Sequence, residues 1–137
     1  MGYRYRTRVR YGECDQQGIA FNANYMAYMD DATEQWISGL APDGRFLSLD
    51  WDWMVVRAVL EWKSPARFGE MLEIAVGVVR YGATSFDVGH IGRVDGRLVF
   101  SARTVCVSCV PVTLEKCPIP GRIKALLGDA VFMDVPS

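Results

Sequence analysis

The apolar residues between positions 22 and 39 recur at helical spacing, with Tyr25, Met29, Ala32 and Trp36 stepping along one face. Met26, Tyr28 and Ile37 widen that stripe beyond what a surface helix carries, so much of the helix circumference must be covered. Asp30, Asp31, Glu34 and Gln35 make its polar side; Asn22 reads as the N-cap and Gly39 as the stop. The rest of the chain is mainly strand. Residues 3–11 alternate strictly, Arg4, Arg6, Arg8 and Arg10 against Tyr3, Tyr5, Thr7, Val9 and Tyr11. That arginine row is read as a solvated face rather than a phosphate site. Residues 53–63 place Met54, Val56, Ala58, Leu60 and Trp62 together, and residues 71–81 do the same with Leu72, Ile74, Val76 and Val78. Residues 84–94 and 97–110 follow, joined by the hairpin signal Asp95-Gly96. Pro111, Pro118 and Pro120 precede a short amphipathic helix at 122–127. A parallel βαβ fold would alternate helices and strands throughout. This order predicts α+β: one antiparallel sheet of about five strands, a long helix against one face, and a short C-terminal helix.

Composition narrows the function. With 137 residues, half of them in the apolar set and 23% charged, the chain is expected to form one compact domain spanning residues 1–137. A net charge of −1 leaves no basic excess to neutralise a nucleic-acid backbone. No apolar run approaches a membrane span, and the N-terminal segment has no continuous apolar stretch resembling a secretory signal. The default expectation is a cytoplasmic protein without a nucleic-acid partner or a membrane span.

Cysteine and histidine usage removes several chemistries. Cys14, Cys106, Cys109 and Cys117 are expected to be free thiols. Cys106 and Cys109 form a C-x-x-C, but residues three apart on a strand point to opposite faces, so no metal is expected. The one histidine, His90, lies within a strand and reads as structural or semi-exposed. No G-x-S-x-G elbow and no phosphate loop is present.

The informative segment is YGECDQQGIAFNANYMAYM, residues 11–29. It sets Asp15 in a Gly-bounded loop seven residues before the expected helix start. That helix is mostly apolar, so its N-terminus points into the protein and offers unpaired N–H groups and a partial positive charge. Such a terminus can polarise a carbonyl, and a nearby carboxylate can attack it or activate a water. On spacing alone, Asp15 also reads as an ordinary turn residue. Glu13 is expected to point away from Asp15, and Cys14 reads as a structural thiol because nothing basic adjoins it.

This segment resembles the signature of the 4-hydroxybenzoyl-CoA thioesterase family of hotdog-fold proteins, roughly Y-[GA]-[ED]-x-D-x-x-G-[IV]-[VA]-[FYW]-x-x-N-Y. The matching residues are Tyr11, Gly12, Glu13, Asp15, Gly18, Ile19, Ala20, Phe21, Asn24 and Tyr25. EWKSPARFGEMLEI, the pattern at Ser85, Phe86 and Ile91, and the PIP before the last helix extend the likeness over most of the chain. The resemblance implies a hotdog sheet wrapped around the long helix and acyl-CoA thioester hydrolysis, with coenzyme A as part of the substrate and no separate cofactor. It makes Asp15 the catalytic carboxylate, as nucleophile or general base. It makes Asn22 the helix-start position whose backbone N–H faces the thioester carbonyl. Gly18 and Ile19 match the turn that places the carboxylate; Ala23, Asn24, Tyr25, Thr84, Ser85 and Phe86 are the implied substrate-binding residues. It also implies a homodimer with sites between subunits, or a homotetramer.

Two departures bear on the substrate. Several relatives carry His or Tyr where this chain has Asn22, and some carry basic residues where it has Gly82, Ala83 and Thr84. The nucleotide would then be held by Arg67, Arg80 or Arg103, or the acyl group would arrive on a carrier protein. A non-catalytic acyl-thioester-binding protein is the alternative from another class. A hotdog dehydratase would need a histidine next to the helix, and His90 is read as misplaced for that. Trp36, Trp51, Trp53 and Trp62 are read as core in preference to an aromatic acyl pocket.

Overall fold

A computed structural model describes residues 2–137. The elements run β1 (Tyr3–Arg8), a 3-10 turn (Tyr11–Glu13), α1 (Asn24–Leu40), a second 3-10 turn (Phe46–Leu49), β2 (Asp52–Trp62), β3 (Met71–Tyr81), β4 (Ser85–Val94), β5 (Arg97–Cys109) and α2 (Gly121–Leu127). The strands form one antiparallel sheet in the order β1-β3-β4-β5-β2, and α1 lies across one face. Expected class, element order and strand number therefore hold. Asp95 and Gly96 both take positive φ, 48° and 83°, as a tight two-residue hairpin turn requires.

The layer between α1 and the sheet is the core. Tyr25, Tyr28, Met29, Ala32, Thr33, Trp36 and Ile37 are buried on the helix side. Leu72, Ile74, Val76, Val78, Phe86, Val88 and Phe100 meet them from the sheet. Tyr25 anchors one end, edge-on to Phe100 at 5.3 Å and to Trp62 at 6.2 Å. Trp51 packs against Phe86 at 5.8 Å at the other end.

Four local expectations are corrected. The first strand ends at Arg8, because Val9 turns to bond Glu70 and Gly69; Tyr11 then sits in the 3-10 turn, 80% exposed, and not on the buried face. Asn22 does not cap α1: Asn22 and Ala23 form a turn, Asn24 N–H donates to Phe21 O, and the helix starts at Asn24 with Ala23 at the cap position. Gly39 does not stop it either. The helix runs to Leu40 and ends where Pro42 disfavours helical backbone at Ala41. In β2 a bulge between Val55 and Arg57 reverses the side-chain phase. Val55 pairs with Cys106, and Ala58, Leu60 and Trp62 pair with Thr104, Ala102 and Phe100. Trp53 and Val55 therefore share the helix-facing side with Ala58, Leu60 and Trp62, while Met54 and Val56 face away. Val56 is 59% exposed, on a strand whose outer edge has no neighbour in the sheet.

On the opposite face of the sheet, residues 129–137 cross the strands as a strap. Val131 N–H bonds Val78 O at 2.9 Å, Arg103 reaches Pro136 O at 3.2 Å, and Arg57 reaches Ser137 O at 3.2 Å. The strap passes over Gly77 and Gly89, which are direct partners on β3 and β4.

Two glycines give a paired stability test. A Cβ on Gly92 would overlap the buried Phe100 ring, whereas a Cβ on Gly39 meets nothing within 4 Å. Gly92→Ala should cost about 1–3 kcal/mol as overpacking. Gly39→Ala should gain about 0.5–1 kcal/mol as a helical glycine removed. Urea unfolding of both variants checks the two signs.

Candidate active site

Asp15 stands at the head of a short hairpin. Cys14 and Ala20 form a bridge, Asp15 N–H donates to Ile19 O at 3.0 Å, and Gly18 closes the turn with φ at 75°. Only a residue without a Cβ takes that left-handed backbone freely. Asp15 Oδ1 accepts the Gln17 N–H at 2.8 Å, which fixes the carboxylate against its own turn. The hairpin is stitched to the segment after β2: Ala20 N–H donates to Ala66 O, Phe68 N–H donates to Gly18 O, and Ile19 pairs with Arg67.

Glu13 ties this hairpin to α1. Its carbonyl accepts from Asn24 Nδ2 at 2.7 Å and its carboxylate from Tyr28 OH at 2.9 Å. Arg10 adds bonds from its backbone N–H and its guanidinium. Burial raises the Glu13 carboxyl, but the Arg10 and Tyr28 bonds outweigh that and hold it below the usual range. Glu13 is thus a charged strut, already engaged, and is not paired with Asp15. The Cys14 thiol is pushed up by its partial burial and then by the Asp15 and Glu13 charges, so it stays protonated near neutrality.

The start of α1 leaves two donors open. Asn24 and Tyr25 N–H groups are used by Phe21 and Asn22 carbonyls, while those of Asn22 and Ala23 meet no acceptor among the described residues. Beside them lies a cavity of about 280 Å³ lined by Ile19, Ala20, Asn22, Tyr25, Trp62 and Lys63–Pro65. Tyr25 is buried, with its hydroxyl accepting from Ala66 N–H at 3.4 Å. Asp15 does not line this cavity within one chain. Lys63, Ser64 and Pro65 were not expected here; their only sequence signal is the KSPA run at the exit of β2.

Thr84, Ser85 and Phe86 lie elsewhere. Arg8 pairs with Met71 at the Asp15 end of β3, whereas residues 82–84 form the turn beyond Tyr81 at its other end. At ~3.3 Å per residue, an 11-residue strand separates the two by roughly 30 Å. Phe86 is fully buried against Trp51 and presents no surface to a ligand. Of the three arginines considered for an anion, Arg67 adjoins the Asp15 hairpin. Arg103 is taken by Asp87 at 2.8 Å, and Arg80 stands 3.8 Å from the same carboxylate. Trp36 and Trp51 are core; Trp53 and Trp62 line cavities.

A second cavity, about 210 Å³, lies beneath the middle of α1 and away from Asp15. Here His90 corrects the sequence reading: it is next to the helix, buried, with Nε2 2.9 Å from Thr33 Oγ1. It meets the middle of α1 and not its N-terminus. Cys106 lines the same cavity and Cys109 does not; among the described residues no cluster of ligating side chains could hold a metal ion.

A family model described as the thioesterase-like superfamily matches residues 9–127. The chain belongs to that superfamily. Its sheet and long helix form the hotdog fold, and it is a thioester hydrolase by class. An acyl-CoA thioester hydrolase, YbgC, of Escherichia coli O157:H7 is 26% identical over 125 residues, covering 90% of this chain and 93% of that protein. A 1,4-dihydroxy-2-naphthoyl-CoA hydrolase of Synechococcus elongatus is 23% identical over 125 residues, with coverage of 89% and 92%. A solved thioesterase superfamily protein from Jannaschia sp. matches with a TM-score of 0.85 at 25% identity, covering 92% of this chain and 90% of that one. None of the helices among the described residues is long and apolar enough to cross a membrane.

The single histidine makes a direct titration test available. Burial pushes the His90 ring down to about 4, against a smaller upward pull from the Met29 carbonyl. An unfolded ring gains its proton near ~6.5. The folded state then binds fewer protons, so this contribution is whole above pH ~6.5 and is lost as pH falls through 4. The proton spectrum of the one ring should stay flat from pH 8 to 5, while unfolding free energy declines on acidification.

Proposed function

We propose that the chain hydrolyses acyl-CoA thioesters, with Asp15 as the catalytic carboxylate and the Asn22 and Ala23 backbone N–H groups receiving the carbonyl oxygen. The observation that carries this reading is a carboxylate on a Gly-turned hairpin, clamped through Glu13 to a helix start with two open donors. Donors placed before the reaction stabilise the oxyanion without reorganising. Asp15 either attacks the carbonyl carbon, giving an anhydride that water opens, or removes a proton from the water that attacks it. In both routes the tetrahedral oxyanion collapses with loss of the thiolate. A thiol pKa near ~8.5 makes this leaving group good enough to depart without a strong general acid. Tyr25 and Trp62 form the apolar side of the entry, and Arg67, exposed and with no side-chain partner among the described residues, adjoins the hairpin for an anionic part of the carrier.

The active form in this reading is a pair of chains joined along β2. That strand has an unpaired outer edge and exposes Val55, Val56 and Trp62. Antiparallel pairing about a two-fold axis would set the Asp52 end of one β2 against the Trp62 end of the other. The Thr84–Ser85 turn of one chain would then share an end of the assembly with Asp15 of its partner.

Asp15→Asn should fold and lower kcat by at least ~100-fold on an acyl-CoA substrate, the range of a lost acid–base or nucleophilic group. Cys14→Ser should keep most activity. Wild-type turnover in the folded Asp15→Asn variant would end the assignment.

Light scattering at micromolar concentration should give a mass well above the 15.3 kDa of one chain. A fully active monomer would contradict a site shared between copies.

A further inference from the structure

Of the arginines that alternate along residues 4–10, one is left without a carboxylate. Arg4 and Arg6 both meet Glu73, at 3.6 and 4.0 Å, and Arg10 is held by Glu13 at 2.8 Å. Arg8 has no carboxylate partner among the described residues; its guanidinium lies over the Phe68 ring, 5.3 Å from the centroid. Phe68 in turn meets Tyr11 edge to face, with centroids 5.7 Å apart and the planes at 81°. Phe68 is 49% exposed and Tyr11 80%, so both rings stand in solvent. Arg67, also exposed, directly precedes Phe68. Exposed rings gathered in one patch mark a contact surface. This one lies on the β1 side of the sheet, so pairing along β2 leaves it open.

The backbone fixes this platform beside the Asp15 hairpin. Phe68 N–H donates to Gly18 O at 2.9 Å, and Ile19 pairs with Arg67. Gly69 N–H donates to Val9 O at 2.8 Å, which ties the same segment to the end of β1. Glu70, the one carboxylate among residues 63–70, is already engaged: it accepts the Arg67 N–H at 2.6 Å and pairs with Arg97 at 3.2 Å. Residues 63–68 run from the cavity at the start of α1, which Lys63–Pro65 line, to the platform. Trp62 ends β2 and Met71 begins β3, and β5 and β4 lie between those strands. With strands ~4.8 Å apart, the platform is roughly 14 Å from the cavity. The backbone of a pantetheine arm is equivalent to about four residues of extended chain, a reach of roughly 14 Å.

We propose that this platform receives the nucleotide of coenzyme A: Tyr11 stacks on the adenine, Arg67 meets the diphosphate, and Arg8 meets the 3′-phosphate. The inference rests on the hydrolase reading above and gives the carrier a site on the same chain as Asp15. An adenine offers its flat π face to an aromatic ring whatever its hydrogen-bonding edge does. A guanidinium meets a phosphate through two parallel N–H bonds, and neither Arg8 nor Arg67 is committed to a carboxylate among the described residues. Arg67 comes first along the run from the cavity, which suits it to the phosphates that follow the pantetheine arm. Phe68 is a positioning residue, because it sets the Tyr11 ring and carries Arg8. At the other end of β3, Gly82–Thr84 carry no charge and Arg103 is taken by Asp87, so Arg80 is the competing cation there.

The test takes the fastest ester from a panel of aliphatic and aryl acyl-CoAs and compares it with the matching acyl-pantetheine, which lacks only the nucleotide. The CoA ester should show kcat/KM at least ~10-fold higher, equal to about 1.4 kcal/mol. Raised salt should shrink that advantage by screening the phosphates. Tyr11→Leu and Arg8→Gln should each bring the ratio to within ~3-fold, while Tyr11→Phe, which keeps the stacking face, and Arg80→Gln should retain it. The readout is the ratio within each variant, whatever its absolute rate. A second measurement needs no turnover: calorimetric titration with adenosine 3′,5′-bisphosphate should show binding that Tyr11→Leu weakens at least ~10-fold. Equal rates for the two carriers with no binding of the bisphosphate would overturn the proposal and leave the hydrolase standing. A ratio abolished by Arg80→Gln and untouched by Tyr11→Leu would also overturn it, by putting the nucleotide at the other end of β3. Failure to hydrolyse any ester of the panel, with bisphosphate binding that depends on Tyr11, would overturn the hydrolase and leave the nucleotide site standing.

Discussion

Everything in this molecule depends on one helix being sunk into one sheet. A single sheet with a single long helix has only one apolar layer, and that layer must supply nearly all the stability. Burying one large apolar side chain is worth roughly 1.5–3 kcal/mol. Tyr25, Met29, Trp36 and Ile37 commit the helix to the sheet along its whole length. The Tyr25–Phe100 contact fixes its N-terminal end against β5, and that fixed end gives the Asp15 hairpin something to be held against. Glu13 transmits the position: one residue bonds Asn24, Tyr28 and Arg10 at once. The Asp15 loop is therefore located by core packing as well as by its own short run of backbone bonds.

Seating the helix this way creates two cavities with different characters. The one at its N-terminus is bounded by backbone donors and aromatic rings. The one beneath its middle is bounded by side chains of α1, β2, β4 and β5, with Asp30, Glu34 and Asp52 in its lining. A long helix on a twisted sheet cannot touch every strand equally. The gap opens toward β2, the outermost strand on that side, where no further strand fills the space.

The sequence discloses period better than phase. Alternation in residues 71–81 names the buried face of β3 up to Val78, and the stepped stripe of α1 names its buried face. In β2 the same alternation misleads, because one extra residue at the bulge turns every position before it to the other side. No residue type near Val56 announces that event. The helix start shows a similar limit. Asn22 has the chemistry of a cap, but its neighbours form a turn first, and Asn24 spends its side chain on Glu13 O. In the candidate site, the Gly18 turn and the Asp15 loop were legible because glycine and aspartate carry local backbone preferences. The remoteness of Thr84–Phe86 and the burial of His90 against Thr33 were not, since both follow from strand order and register.

The strap across the outer face couples distant parts of the sequence. Gly77 and Gly89 leave a trough that Val131, Met133 and Val135 occupy, and a Cβ at Gly89 would stand 2.9 Å from Met133 Sδ. Neither side of this contact is free to drift alone. A larger residue in the trough evicts the strap, and a changed strap leaves two bare glycines facing water. In a collection of descendants of this gene, positions 77 and 89 and the 131–135 segment should be inherited as one trait, preserved together or lost together.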